Sequence, residues 1–400
     1  MKRTTVMKTR HGFTLVEVIV VMSVFLTVLM IAAQTFKTII TFTSKYSKSE
    51  ESNIEGIIGL EVLRHDLEQM GFGLYWGYLP GASISYLESA DAVTGAVTND
   101  APNNVPRAFV AINNQSARFS SDFIGVKATT VGRARPSQRW TYITFHNVSS
   151  SPLWVSRPVN WPSKNLASGD RAIVIRHNFN DPTDDHLLLD STGTDYAALT
   201  TGSEPGNTYL PTKDQQVSMV YGIDDSSVTL RMPFNRADFF ITAGSVPQFC
   251  AENTGVLYKA TVSHSGGGYN YIPLLDCVAD MQVVLGWDVS AGGTSKSVSA
   301  YSNADGSVVS GSAASTDVQG WLADPQGIRD HLKMVKVYIL AQEGRRDSGF
   351  TYPSASMVVG NSNNGETSLT STHTFTTAQR QYRWKLYRII VRPKNLVNNQ

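Results

Sequence analysis

Gly12-Phe13-Thr14-Leu15-Val16-Glu17 opens an apolar stretch that continues to Ala33, and this stretch decides the first part of the fold. A helix rises about 1.5 Å per residue, so about 20 apolar residues span the hydrocarbon core of a bilayer. We therefore predict that residues 13–33 form a transmembrane helix. The run has 21 residues, interrupted by Thr14, Glu17, Ser23 and Thr27.

Residues 1–12 form a short basic leader in front of the apolar run. They contain four positive side chains and no acidic one, so the positive-inside rule keeps the leader in the cytoplasm and directs the rest of the chain outward. An ordinary secretory signal is cut after its apolar segment. Here the cleavage signal precedes it, so the apolar segment would stay on the mature chain. An uncleaved signal anchor and a buried core helix are the alternatives.

Glu17 is the charged residue of the apolar run. A carboxylate inside a membrane segment costs about 2.5–3.5 kcal/mol or more unless it finds a partner. Cleavage after Gly12 would make Glu17 the fifth residue of the mature chain and would create an α-amino group on Phe13. That amine, from the same or a neighbouring subunit, is a suitable counter-ion. The alternative is a carboxylate that lies in the headgroup region.

The junction Gly12-Phe13-Thr14-Leu15-Val16-Glu17 resembles the class III leader of type IV pilins and type II secretion pseudopilins. The resemblance implies that a prepilin peptidase cuts between Gly12 and Phe13 and N-methylates Phe13. It also implies that Glu17 serves in docking onto the growing filament. The segment from Leu60 to Phe72 resembles the helix end of PilW-type minor pilins. Shorter pieces of the head, the last of which ends at Arg392, resemble strands of the same family.

The helical pattern continues beyond the apolar run and becomes amphipathic. Over residues 34–70, apolar side chains recur at three- and four-residue spacing, and Gly71 ends the pattern. Gly56 and Gly59 are weak points within this predicted helix. The apolar positions are Ile57, Leu60, Leu63, Leu67 and Met70.

Residues 71–400 predict a large β-rich head, so the fold class is α+β: a long N-terminal helix, transmembrane and then amphipathic, followed by an antiparallel pilin-like head. About 330 residues can bury a substantial core. Two stretches poor in apolar residues, 290–319 and 354–374, predict flexible surface loops. Residues 281–287 alternate and predict a half-buried strand. The predicted strands are 123–126, 140–145, 172–175, 228–232, 281–287, 334–341 and 387–391.

The two cysteines of the chain, Cys250 and Cys277, lie in the predicted head. Because an exported compartment is oxidising, we predict a single structural disulfide, with two separate thiols as the alternative. An acidic cluster, Asp181, Asp184 and Asp185, offers oxygen ligands that calcium prefers. The cluster lacks the ligand order of an EF-hand, and a solvated turn is the simpler interpretation.

Composition argues against catalysis and against nucleic acid as a partner. The histidines are scattered, and no nucleophile, zinc or redox motif is present, so we predict no enzymatic activity and no cofactor. Removing the four positive side chains of the leader would change the formal net charge from +1 to −3. Basic and aromatic residues interleave over 380–394, a pattern that can bind single-stranded nucleic acid. A terminal strand with a solvated basic face is the interpretation we favour.

The resemblance implies a minor pilin of a type IV pilus. Such a subunit sits in the inner membrane with its head in the periplasm, assembles with other minor pilins and the major pilin, and ends at the extracellular pilus tip beneath a large adhesin-like partner. Two other functions stay open. One is a type II secretion pseudopilin, and the other is a tip subunit whose head loops bind a surface or DNA.

Overall fold

The described part of the chain begins with one long helix and continues mainly as strands. The computed structural model describes residues 12–77, 84–88, 98–100, 105–115, 119–148, 151–158, 166–178, 186–199, 207–213, 216–225, 227–361 and 366–396. Helix α1 spans Leu15–Gln69, close to the predicted 13–70. The chain divides into two compact units at Ser52 and Asn53, within α1.

The apolar beginning of α1 is fully exposed. Over Leu15–Ser44 the helix is long and apolar enough to cross a bilayer, and none of its most apolar window is buried. The hydroxyls of Ser23 and Thr27 donate to the carbonyls of Val20 and Val24 at 2.9 and 2.7 Å. These bonds satisfy the hydroxyl groups within the helix itself, which lowers the cost of placing them in lipid.

The second half of α1, from Asn53 onward, packs on the head through the predicted apolar face. Leu60 is 6% exposed, while Leu63, Leu67 and Met70 are fully buried. Ile57 was predicted on the same face but is 57% exposed, so the buried stripe begins one turn later. The helix then ends as predicted, because Gly71 adopts φ +82°, a conformation that favours glycine.

Gly59, predicted as a weak point, is a packing position. A Cβ at Gly59 would lie 1.9 Å from the carbonyl oxygen of Leu274, so only glycine lets the helix approach this strand so closely. Gly56 faces the side chains of Leu275 and Tyr387. The helix continues through both residues.

The head contains a large antiparallel sheet, a second antiparallel sheet and a small hairpin. The strands are β1 (Phe109–Gln115), β2 (Ser121–Ala128), β3 (Trp140–Val148), β4 (Ser151–Pro158), β5 (Arg171–Asn178), β6 (His186–Leu187), β7 (Ala198–Leu199), β8 (Gln216–Asp224), β9 (Asn235–Thr242), β10 (Gly255–Val262), β11 (Tyr269–Trp287), β12 (Ala300–Asn303), β13 (Val309–Gly311), β14 (Leu332–Glu343), β15 (Ser356–Val359), β16 (Ser371–Thr374) and β17 (Arg383–Val391). In the large sheet the strand order is β1-β2-β9-β10-β11-β12-β13, and β14 pairs with both β11 and β17. The second sheet has the order β4-β3-β8-β5-β6, with β7 also on β5, and β15 pairs with β16.

A central apolar core joins α1 to both larger sheets. Leu63 and Leu67 share this core with Val337 of β14 and Ile173 of β5. The other face of the second sheet has its own core, which includes Val174. A third core on the outer face of β14 includes Trp384 of β17. These layers give the α+β architecture predicted from the sequence.

Two predictions about strands were wrong. Residues 228–232 form no strand, although Leu230 and Met232 are buried: the segment is a loop held by side-chain contacts, such as the bond from the Tyr196 hydroxyl to the Leu230 carbonyl. The strand at 281–287 is buried on both faces, because the third core covers the face expected to be solvated.

The segments 290–319 and 354–374 were predicted as loops, but both contain strands. The first includes β12, β13 and the start of helix α2 (Ser315–Ala323), which is followed by helix α3 (Pro325–His331). The second includes β15 and β16. Hydrogen bonding to neighbouring strands organises these polar residues, and a low apolar content does not reveal it.

Candidate functional site

The start of α1 is a capping box built from Thr14 and Glu17. The backbone N–H and the hydroxyl of Thr14 both donate to Glu17 Oε2 at 2.9 Å, and the Glu17 N–H donates to the Thr14 hydroxyl at 3.3 Å. A Thr followed three residues later by Glu is the pattern that satisfies the free N–H groups of a first helical turn. The box therefore fixes the Glu17 carboxylate at the helix start.

This geometry places the carboxylate beside the predicted cleavage point. Glu17 already binds the N–H of Thr14, the residue that follows Phe13. Cleavage between Gly12 and Phe13 would therefore create an α-amino group one residue away from a group that Glu17 contacts. The positive end of the helix dipole lies at the same place, and it also stabilises a carboxylate.

Gly12 and Phe13 are open to an external enzyme. A Cβ added at Gly12 would meet no atom within 4 Å, and Phe13 is 87% exposed. The described residues therefore give no steric reason for glycine at this position. The leader residues before Gly12 lie outside the described part of the chain.

At its other end α1 is tied to the head by ion pairs. Lys259 of β10 pairs with the buried Asp66 at 2.5 Å, and Lys394 pairs with Glu68 at 3.1 Å. The Lys394 N–H also donates to the Glu68 carbonyl. A displacement of the last helical turns would break the Asp66 pair inside a buried interface, which is costly.

A buried ionic network lies on the face of β2 and β9 that points away from α1. The Lys127 ammonium contacts Glu88 at 2.6 Å and also Asp100, while Arg236 contacts Glu88 at 2.7 Å and Asp238. Lys127, Arg236, Glu88 and Asp238 have fully buried side chains. Burial alone would raise the pKa of Asp100, but the cations beside it hold this pKa below its usual range. Sequence reasoning missed this network because its members are separated along the chain.

The network joins residues 84–88 and 98–100 to the sheet, and its chemistry is structural. Three cations and three carboxylates neutralise one another, since Arg107 also contacts Asp100 at 3.1 Å. An adjacent cleft of about 420 Å³ is lined by Trp76, Arg107 and Asp324. Its carboxylates already have partners: Asp324 accepts from the Gly327 N–H at the start of α3.

The remaining sequence-predicted sites are distributed over the head. Cys250 and Cys277 form a disulfide, with their Cα atoms 5.0 Å apart. Asp181, Asp184 and Asp185 lie outside the described residues. Within the described residues, no group of three or more His, Cys, Asp or Glu side chains is arranged to hold a metal ion.

The aromatic residues interleaved with basic ones near the C-terminus are structural. Trp384 is 6% exposed and belongs to the third core, where Tyr382 also packs. Tyr387 packs against the central core. Their rings therefore do not form the open stacking platform that single-stranded nucleic acid requires.

Comparison with known proteins gives a match at the N-terminus. Residues 7–33 match the family model of the prokaryotic N-terminal methylation motif. The chain carries a prepilin leader. The matched residues include Gly12, Phe13 and Glu17, and they extend to the end of the apolar run. No curated protein and no solved structure gives a significant match.

The leader motif and the apolar helix that follows it support a pilin-like protein of the class III prepilin type. A prepilin leader implies processing by a prepilin peptidase and assembly with other pilins. The exposed apolar helix that follows the leader is suited to membrane anchoring. These statements hold for pilus subunits and for pseudopilins alike.

Proposed function

We propose that the protein is a PilW-like minor pilin that takes part in starting type IV pilus assembly in the inner membrane and then sits at the filament tip. The prepilin leader on an exposed apolar helix carries this proposal. The large head supports the location. A helix-to-helix contact repeated with a rotation builds an open filament, and a bulky head is easier to accommodate at one end than along the shaft.

The proposed cycle uses three features of the N-terminus. A prepilin peptidase cuts between Gly12 and Phe13 and methylates the new amine of Phe13. The apolar helix keeps the subunit in the membrane, with the head in the periplasm. Glu17, fixed by its capping box, then docks against other minor pilins or the major pilin. No catalytic residue and no cofactor of this chain is needed for the role.

Two substitutions separate the charge of Glu17 from its capping role. Glu17→Gln keeps the size and an acceptor oxygen but removes the charge. Thr14→Val keeps the charge but removes the hydroxyl from the capping box, at a cost of about 1 kcal/mol to the helix. We expect Glu17→Gln to reach the membrane at normal levels and fail in assembly. Thr14→Val should still assemble.

The experiment counts surface pili by electron microscopy in a deletion strain complemented by each variant, with and without the retraction motor. An assembly role predicts few pili in the deletion strain, recovered when retraction is removed. Glu17→Gln should not restore pili in the strain that retracts, whereas Thr14→Val should. Normal pilus number in the deletion strain would reject the proposal. Under that outcome, lost protein secretion would identify a pseudopilin, and lost adhesion would identify a binding subunit.

A further inference from the structure

The last strand of the head, β17, is an edge strand. Within the described part of the chain it pairs only with β14, through nine consecutive residue pairs from Val335–Val391 to Glu343–Arg383. The pairing has no bulge, so the outer side of β17 presents a regular row of backbone groups. Such an edge is a template for another strand.

The backbone groups that point outward follow from the hydrogen bonds of β11. The N–H groups of Met281 and Val283 bond to side chains of β2, so they point away from β14. The backbone N–H and C=O groups of successive residues in a strand point to opposite edges, so those of Gln282 and Val284 point toward β14. The backbone groups of their partners Tyr338 and Lys336 therefore point to β11. Those of the alternate residues, Val337 and Ile339, point to β17.

The same alternation applies to β17. Tyr387 and Ile389 pair with Ile339 and Val337, so their backbone N–H and C=O groups point to β14. The N–H and C=O groups of Leu386, Arg388 and Ile390 therefore point outward. In the described residues no backbone hydrogen bond closes the outward groups of these three positions. Toward the start of β17 the edge is occupied, since Asp347 and Tyr352 bond to the backbone at Gln381 and Arg380.

The exposed side chains along this edge alternate basic and apolar. Arg388, Ile390 and Arg392 lie on one face, two residues apart, and all three are exposed. Ile390 is 58% exposed. Two other cations of the segment have acidic partners: Arg383 pairs with Asp347, and Lys394 with Glu68. Arg388 and Arg392 have no ion-pair partner among the described residues.

The positive charge of this edge favours an acidic binding partner. Residues 383–394 contain five basic side chains and no acidic one. Glu366, a carboxylate near the neighbouring β14, is engaged by Lys336 at 2.5 Å and by the Tyr338 hydroxyl at 2.9 Å. An incoming strand places its side chains directly opposite those of β17 on the same face, where opposite charges attract and like charges repel.

We propose that the outer edge of β17 binds an extended acidic segment of a partner protein, which adds to the large sheet as a further strand. Carboxylates of that segment lie opposite Arg388 and Arg392, and an apolar side chain lies opposite Ile390. Main-chain hydrogen bonds to Leu386, Arg388 and Ile390 supply the pairing, and the two arginines supply the selectivity. This surface is separate from the N-terminal docking site, so it does not depend on the proposed function.

The test uses the full chain in detergent micelles and the peptide Thr-Glu-Thr-Ile-Thr-Glu-Thr, which has the required pattern in either direction. Two control peptides carry Lys in place of Glu, or N-methyl groups on the two Glu and the Ile. Hydrogen exchange is followed at Leu386, Arg388 and Ile390 at peptide concentrations up to about 1 mM. Arg388→Glu/Arg392→Glu is the test variant. Arg133→Glu/Lys213→Glu, at exposed sites elsewhere in the head, is its matched control.

We expect the Glu peptide to slow exchange at these three amides by about tenfold or more, as a formed ladder protects its N–H groups. The double arginine variant should bind roughly tenfold more weakly, and its control should bind normally. No protection by the Glu peptide, or equal protection by the Lys or N-methyl peptide, would overturn the proposal. Protection that is present without peptide and rises with protein concentration would also overturn it, because a second copy of the chain would then occupy the edge.

Discussion

Gly59→Ala gives the most direct test of how α1 packs on the head. In an exposed helix, replacing Gly by Ala stabilises by about 1 kcal/mol. Here the new Cβ would lie 1.9 Å from the Leu274 carbonyl oxygen and 2.6 Å from its carbon, both backbone atoms. The helix or β11 must therefore move by about 1 Å, which strains a packed core by about 1–3 kcal/mol and loosens the contacts of Leu60 and Leu63. We expect a net loss of about 2 kcal/mol in the free energy of unfolding.

Gly56→Ala is the matched control, since it lies one helical turn earlier. Its Cβ would meet the end of the flexible Leu275 side chain at 2.9 Å, which can rotate away. We expect this variant to be neutral or up to about 1 kcal/mol more stable. Urea unfolding of the full chain in detergent, followed by tryptophan fluorescence, measures both. Equal stability of the two variants would refute the close approach of Gly59 to Leu274.

Three further outcomes test the interior of the head. Burial raises the pKa of Asp122 to about 7, although two backbone N–H groups donate to its carboxylate. In the unfolded state the same group loses its proton above about pH 4, so between pH 4 and pH 7 the folded state holds one proton more than the unfolded state. The melting temperature measured by calorimetry should therefore fall between pH 5 and pH 8, and it should fall less in Asp122→Asn. An equal fall in both proteins would show that Asp122 does not cause it. Lys127→Met removes one of the three cations of the network and leaves one negative charge in it uncompensated, so it should cost about 3–5 kcal/mol in urea unfolding, against a change within about 0.5 kcal/mol for the exposed Lys213→Met. Similar losses in the two variants would show that the network is not buried. Replacing Cys250 and Cys277 by serine opens a loop with a sequence separation of 27 and should cost about 3–4 kcal/mol, measured by urea unfolding under oxidising conditions. A loss that disappears when the native chain is reduced beforehand would support the disulfide, whereas no loss, or a loss unchanged by that reduction, would contradict it.

The sequence alone determined the parts of this protein whose signals are local. The order of basic leader, Gly12 and apolar run predicts a prepilin leader, and the family match at residues 7–33 supports it. Periodicity predicted α1 nearly to its ends, because the apolar spacing and Gly71 act within a few residues. Most predicted strands are present for the same reason.

Only the tertiary structure decided which strands pair, which faces are covered and which edge stays open. Glu88 pairs with Lys127 across 39 residues of chain and with Arg236 across 148. Among the described strands, β17 lies at an edge because β14 separates it from β11. Glycine at position 59 would destabilise an isolated helix, but here it is required because a strand carbonyl lies against it. Such contacts depend on the pairing of strands that are distant in the sequence, and the residues next to a given position do not predict that pairing.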